Sequence, residues 1–302
     1  MAPKRKSAPS QNSLRSRASQ FCDEKARSDF FKNFFRWGIH LECHVILFDF
    51  SDIDLPTIIY SRGWGSLCDI LVTCPSMLIH KFYSNMHGFD YSVPHFITCV
   101  RGTRIVVMPK IVSDVLCVSR VEHFDYPGYD CLKTVSKDEL ISAFCERLSF
   151  WGEHQFTDYS SFAKGPQFLN MVMTFVLHPL SHYNSIIESR AWFLLSVLEG
   201  LTIDFPSRFI LSIMDVYKDS ATRDKLIFPS AITRLLRHFD VPFPSSDPFP
   251  VMGAIDAGIV KRSEAQLHSR QSGSTATSTP SAPSTYAPSS SGGGVTLDAI
   301  MV

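Results

Sequence analysis

The chain has 302 residues, of which 45% are apolar and 19% charged, with 24 Phe and 29 acidic against 29 basic side chains. Length and apolar content supply a sizeable core, while a net charge of zero excludes a uniformly basic nucleic-acid coat. No stretch reaches the roughly 20 apolar residues that span a bilayer, which predicts a soluble protein with no membrane contact.

Residues 1–27 carry seven basic groups (Lys4, Arg5, Lys6, Arg15, Arg17, Lys25 and Arg27) against Asp23 and Glu24, and have almost no apolar period. They read as a disordered arm. Pro3-Lys4-Arg5-Lys6 has the character of a nuclear-import signal, so an intracellular, nuclear or cytoplasmic location is expected, with the nucleus favoured. Lys4, Arg5, Lys6, Arg15 and Arg17 are the candidate contacts for nucleic acid. Their attraction to phosphate is salt-sensitive and sequence-independent. The body over 28–260 is acidic, at −6, and repels phosphate overall.

Residues 29–38 (DFFKNFFRWG) place Phe30, Phe31, Phe34, Phe35 and Trp37 at helical spacing before Gly38. A core helix is the simplest reading of that stripe, and a face for a partner helix is the alternative. The run 44–48 is β-prone. Pro75 opens a helix to about Met86, with Leu78, Phe82 and Met86 on one face. Residues 95–108 hold two β-branched runs around Arg101-Gly102-Thr103, which predicts a hairpin. Pro109 opens a helix with Ile111, Val112, Val115 and Leu116 on one face.

Ser136 and Glu139 match a capping box, predicting a helix to about Leu148. Pro166 opens a helix through Val176. Asn184 or Ser185 caps another, closed by Gly200. Pro206 and Pro229 open the last two. The tract 264–295 is Ser/Thr/Pro/Ala/Gly-rich, as flexible linkers are. Leu297, Ile300 and Met301 have the spacing of a first helical turn.

The predicted fold is mainly α: a single multi-helix domain with a small antiparallel β-hairpin, flanked by disordered tails. The expected organisation is a disordered basic arm over 1–27, a helical domain over 28–260, a linker over 261–294 and the start of a truncated helix over 295–302.

Catalytic motifs are missing from the sequence. There is no G-x-x-x-x-G-K-S/T or G-x-G-x-x-G phosphate loop and no G-x-S-x-G elbow. Asp219-Ser220-Ala221 lacks the Gly of an aspartic-protease loop. Eight Cys lie at 22, 43, 68, 74, 99, 117, 131 and 145. A polar, basic N-terminus without an apolar stretch behind it is no secretory signal, so free thiols in a reducing compartment are expected. Cys68 and Cys74, the cluster His40, Cys43 and His44, and the pair His178 and His182 all lack zinc-site spacing. Asp49, Asp52, Asp54, Asp114, Glu199, Asp204, Asp215 and Asp219 are numerous enough for a two-metal nuclease, which would seat its first carboxylates on sheet strands. With little sheet predicted, they are expected to cap helices and solvate the surface. No catalytic residue, metal, cofactor or small-molecule substrate is assigned.

Several blocks carry a family resemblance. Ile59-Tyr60-Ser61-Arg62-Gly63-Trp64-Gly65-Ser66-Leu67 resembles the R-G-W block of the plant "putative transposon protein" domain. Lys81-Phe82-Tyr83-Ser84-Asn85 resembles its F-Y-x-N motif, and Val100-Arg101-Gly102-Thr103-Arg104-Ile105-Val106-Val107 its V-R-G hairpin. Lys164-Gly165-Pro166, His178-Pro179-Leu180-Ser181-His182-Tyr183 and the block 221–230 continue the likeness, which covers about 30–250. It implies a retroelement-derived, Gag-like plant protein, and it brings no catalytic residues with it. The expected function is therefore non-enzymatic and structural: self-association, with weak nucleic-acid contact through the arm. A transposase-like metal-dependent nuclease and a host-recruited nuclear interaction module are the alternatives.

Overall fold

A computed structural model describes residues 21–69, 72, 75–125, 135–146, 149–152, 155–156, 161–179, 186–219, 225–243, 253–256 and 258–259. Lys4, Arg5, Lys6, Arg15 and Arg17, and everything expected over 261–302, lie outside the described residues.

Helices dominate, as expected. The first, α1 (Glu24–Lys32), begins inside the stretch read as disordered arm, because Asp23 caps it by accepting the Ala26 N–H at 2.7 Å. The helix expected from 29–38 is thus displaced, and a 3₁₀ turn at Phe34–Arg36 continues it. The short strand β1 (Gly38–Ile39) follows. The β-prone run at 44–48 is not a strand. Val45 makes one parallel bridge to Ile255, and Leu47–Phe50 coil into a 3₁₀ turn that buries Leu47 and Phe50. β-Propensity here marks residues suited to burial rather than to a ladder.

Two short helices, α2 (Leu55–Ser61) and α3 (Gly65–Cys68), flank the Arg62-Gly63-Trp64 turn. Next come α4 (Ser76–Ser84), entered at Pro75, then β2 (His87–Asp90), β3 (His95–Val100), β4 (Thr103–Val107) and α5 (Pro109–Leu116). The hairpin is present, with Val100 opposite Thr103 and Phe96 opposite Val107, so Thr103, read as part of the turn, instead opens β4. Arg101 and Gly102 both take positive φ (53° and 83°), as a tight two-residue turn demands. The sheet gains a third strand, β2, in the order β2-β3-β4. Phe96, Thr98 and Val100 alternate inward along β3, against α4 and α9 (Phe205–Lys218).

The helix α6 (Lys137–Phe144) has the full capping box: the Glu139 N–H donates to Ser136 Oγ at 3.2 Å, and the Ser136 N–H to Glu139 Oε2 at 2.6 Å. It stops at Phe144, short of Leu148, because Cys145 turns extended and bridges to Phe162. After β5 (Gln155–Phe156), α7 (Lys164–Val172) starts two residues before Pro166 and widens into a π-helical turn at Met173–Leu177. Helix α8 (Glu188–Leu198) begins later than predicted: β6 (Ile186–Ile187) precedes it, and no side chain caps it. β6 pairs with β5 instead. Pro206 and Pro229 sit in the first turns of α9 and α10 (Pro229–His238), as expected, with β7 (Lys225–Leu226) between them in parallel with β1.

One continuous apolar cluster runs from Phe34 to Ile259. Ten α-helices surround it among the described residues, and no helix there is long and apolar enough to cross a membrane.

Candidate functional site

Among the described residues, the R-G-W, F-Y-x-N and V-R-G blocks make structural contacts. Arg62 Nη1 donates to the Leu201 carbonyl and Nη2 to the Val197 carbonyl, both at 2.8 Å. The guanidinium thus forks between Val197 in the last turn of α8 and Leu201 just beyond its end, adding charged donors to the cap there and meeting the negative end of the helix dipole. Gly63 takes φ +67°, which turns Trp64 inward. Trp64 is buried against Phe193 and Phe205, with the Arg62 guanidinium 5.2 Å from its ring centre. The F-Y-x-N block is spent similarly. Phe82 and Tyr83 fill the core, Tyr83 Oη donates to the Ile227 carbonyl at 3.0 Å, and Asn85 Oδ1 accepts the Cys22 N–H at 2.8 Å. In the V-R-G hairpin, Arg101 Nη1 donates to the Pro242 carbonyl at 3.0 Å.

Buried polar centres tie distant segments together. Glu42 lies at the N-terminus of α10, accepting the Ser230 N–H and, at 3.2 Å, the Ala231 N–H. Burial pushes its carboxyl up to about 7. Nearby in sequence, His40 Nε2 donates to the Thr174 carbonyl at 3.0 Å in the π-helical turn. Burial, then the Lys225 charge, hold its imidazole down at about 4. Arg190 Nη1 donates to Thr174 Oγ1 at 3.1 Å. Asp204, expected among solvated or capping acids, stands at the N-cap position of α9, but its side chain makes no cap bond and is fully buried. It accepts Arg120 Nε at 2.9 and 3.1 Å on its two oxygens, and the Ser207 hydroxyl as well. Arg208 Nη2 lies 3.1 and 3.2 Å from the two ring nitrogens of His178. Nothing along the chain announces Glu42, Arg190 or Arg208, because each partner is more than a dozen residues away and leaves no local spacing.

The other candidate carboxylates are dispersed. Asp52 pairs with Lys164 at 2.6 Å and Asp114 with Lys110 at 2.7 Å, both at the surface. Among the described residues, no three His, Cys, Asp or Glu gather as metal ligands, and six cysteines are free thiols. Burial drives Cys43 and Cys68 up to about 12, where neither is a nucleophile at neutral pH.

The remaining candidate is the surface of α1, where the basic arm meets the body. Phe30 and Phe34 face inward, Phe34 stacking on Tyr217 at 5.7 Å. Phe31 and Phe35 face solvent, 56% and 51% exposed. The aromatic stripe is therefore divided between core and surface. Phe21 packs on Phe31 at 6.2 Å and Phe31 on Phe35 at 6.5 Å, so three rings follow one another along the ridge. Arg27, Lys32 and Arg36 are exposed beside them. Lys25 is engaged elsewhere, with Asp29 at 2.8 Å and Tyr217 Oη at 2.6 Å.

Together these features define a helical domain whose internal polar groups cap helices and whose aromatic and basic surface sits at its N-terminal edge. A family described as "Putative plant retrotransposon-related domain" matches residues 60–242, more than half of the chain. The chain belongs to that family and is derived from a transposable element. No curated protein and no solved structure matches it.

Proposed function

We propose that the chain is a non-enzymatic structural protein of its element, Gag-like in self-associating and in holding nucleic acid through its basic N-terminal arm. The observation that carries this reading is the fate of the family-like motifs: Arg62, Trp64, Tyr83 and Asn85 all hold helices together. The exposed aromatic surface supports self-association, since Tyr60, Phe48 and Phe150 are 64%, 85% and 75% exposed on a chain with little charge. The arm supports nucleic-acid contact, with Lys4, Arg5, Lys6, Arg15 and Arg17 preceding the first described residue.

Light scattering on a sizing column, with and without single-stranded RNA, tests both halves. The full chain is expected to run above monomer mass and to carry RNA. Changing the five arm cations to Gln leaves the mass and lowers the salt dependence of RNA binding, by about 0.7 in the log–log slope for each phosphate no longer neutralised. A monomer that ignores RNA refutes the proposal. The same arm contains the import-like cluster, so a fluorescent fusion is expected in the nucleus and should leave it when Lys4, Arg5 and Lys6 become Ala.

A further inference from the structure

We infer that the exposed ridge of α1 is a stacking platform for single-stranded nucleic acid, which extends the contact surface from the arm onto the folded body. This rests on the nucleic-acid half of the function proposed above.

Three features point to this occupant. The first is ring exposure. Phe31 and Phe35 are more than half exposed although Phe30 and Phe34, one residue before each, complete the buried face of the same segment. Two large apolar rings standing in water, one on α1 and one on the 3₁₀ turn after it, form a patch of the kind that marks interaction sites. The second is ring order. Phe21, Phe31 and Phe35 succeed one another at 6.2 and 6.5 Å, so one strand can lay successive bases on them. Stacking on a π-face is indifferent to base identity.

The third is charge. Arg27 stands one helical turn before Phe31, and Lys32 and Arg36 directly follow Phe31 and Phe35 in sequence, all exposed. Arg27 has only a long 3.9 Å contact with Glu24. Among the described residues, no carboxylate lies within ion-pair distance of Lys32 or Arg36. The same segment carries Asp23, Glu24 and Asp29, with Asp29 held by Lys25 at 2.8 Å, so the cations next to the rings in sequence are Lys32 and Arg36. Cations flanking stacked rings complement a phosphate backbone running along the edge of its bases. A second copy docking symmetrically through the same ridge would bring its own Lys32 and Arg36 against these, which like-charge repulsion opposes.

The test is fluorescence anisotropy of the full chain with a labelled oligouridylate of about ten nucleotides, across a salt series. Phe31→Leu with Phe35→Leu keeps apolar bulk but removes the π-faces. It is expected to weaken binding about tenfold or more at every salt concentration without changing the salt slope. Phe31→Tyr with Phe35→Tyr restores binding. Lys32→Gln with Arg36→Gln lowers the slope by about 0.7 per cation. All four positions are exposed, so melting temperatures should match the parent, and the charge pair reads the platform independently if a Phe pair misfolds. Wild-type affinity in the Leu pair, or a drop in assembly mass in it with RNA affinity intact, overturns the inference and gives the ridge to a second copy. Loss of the salt slope in the arm variant alone, with both ridge variants binding normally, also overturns it while leaving the proposed function standing. If the arm variant instead binds like the parent while the ridge variants fail, the arm's role falls and the ridge stands.

Discussion

At Arg62-Gly63-Trp64 and along Phe31 to Arg36 a cationic residue stands within two positions of a large aromatic one in sequence, and the chain uses the two stretches in opposite ways. At the Arg62-Gly63-Trp64 turn the ring is buried and the guanidinium is spent on the carbonyls ending α8. On α1 and the turn after it the rings of Phe31 and Phe35 stand in water, next in sequence to Lys32 and Arg36. Residue type alone does not separate the two. What separates them is whether backbone acceptors at a helix end and an apolar wall lie within reach. Where both do, the pair becomes part of the core; where neither does, it remains available to a partner. The family match at 60–242 includes the first site and begins after the second.

The largest test of this contrast is Trp64→Ala. Removing a fully buried indole leaves a cavity between Phe193 and Phe205 and is expected to cost about 3–5 kcal/mol in denaturant unfolding. Arg62→Ala should cost about 2 kcal/mol, since it strips charged donors from two carbonyls. Arg62→Lys should rescue little, because a single ammonium does not reproduce the fork. If either change is silent, the block is not structural and the contrast fails.

Glu42 sharpens the comparison through pH. In the folded chain its carboxyl keeps a proton up to about pH 7, whereas its ordinary value is 4.5. Its contribution to stability is therefore full at low pH and falls as pH rises through that window. His40 has the opposite sign. It stays neutral in the fold down to about pH 4 against an ordinary 6.5, so its contribution is lost as pH drops through its own window. The two oppose each other across most of the acidic range. Glu42→Gln removes one side of that balance, so the variant should lose ground to the parent on acidification from about pH 7, by up to about 1.4 kcal/mol per pH unit. Parallel unfolding curves against pH would contradict the assignment.

Phe31→Ala and Phe35→Ala carry the smallest expected effect on stability, within about 0.5 kcal/mol each by thermal unfolding. A loss comparable to that at Trp64 would mean the two rings belong to the core after all.

Features that close within a few residues are legible along the chain. The turn at Arg101-Gly102 lies between two β-branched runs, the capping box joins Ser136 and Glu139, and Pro109, Pro206 and Pro229 stand in the first turns of their helices. Each depends on backbone geometry and on donors only a few positions apart. Features that need a distant partner are not legible in this way. Val45 lies in a β-prone run, yet its β-pairing is a single bridge to Ile255 and it forms no strand. Asn184 and Ser185 are of capping type, yet α8 starts at Glu188, beyond the pairing of β6 with β5. Glu42 carries no sign in its neighbours that it closes the N-terminus of α10.

The aromatic stripe of 29–38 divides along the same line. Composition and spacing by themselves determined a mainly helical body behind a basic arm, with aromatic residues set at helical intervals. Only the tertiary structure decided which rings those residues bury. The helix offers two apolar faces, while the core, closed by Tyr217 and Tyr83 around Phe34, accepts one. Close packing leaves no room for the second, so Phe31 and Phe35 remain at the surface.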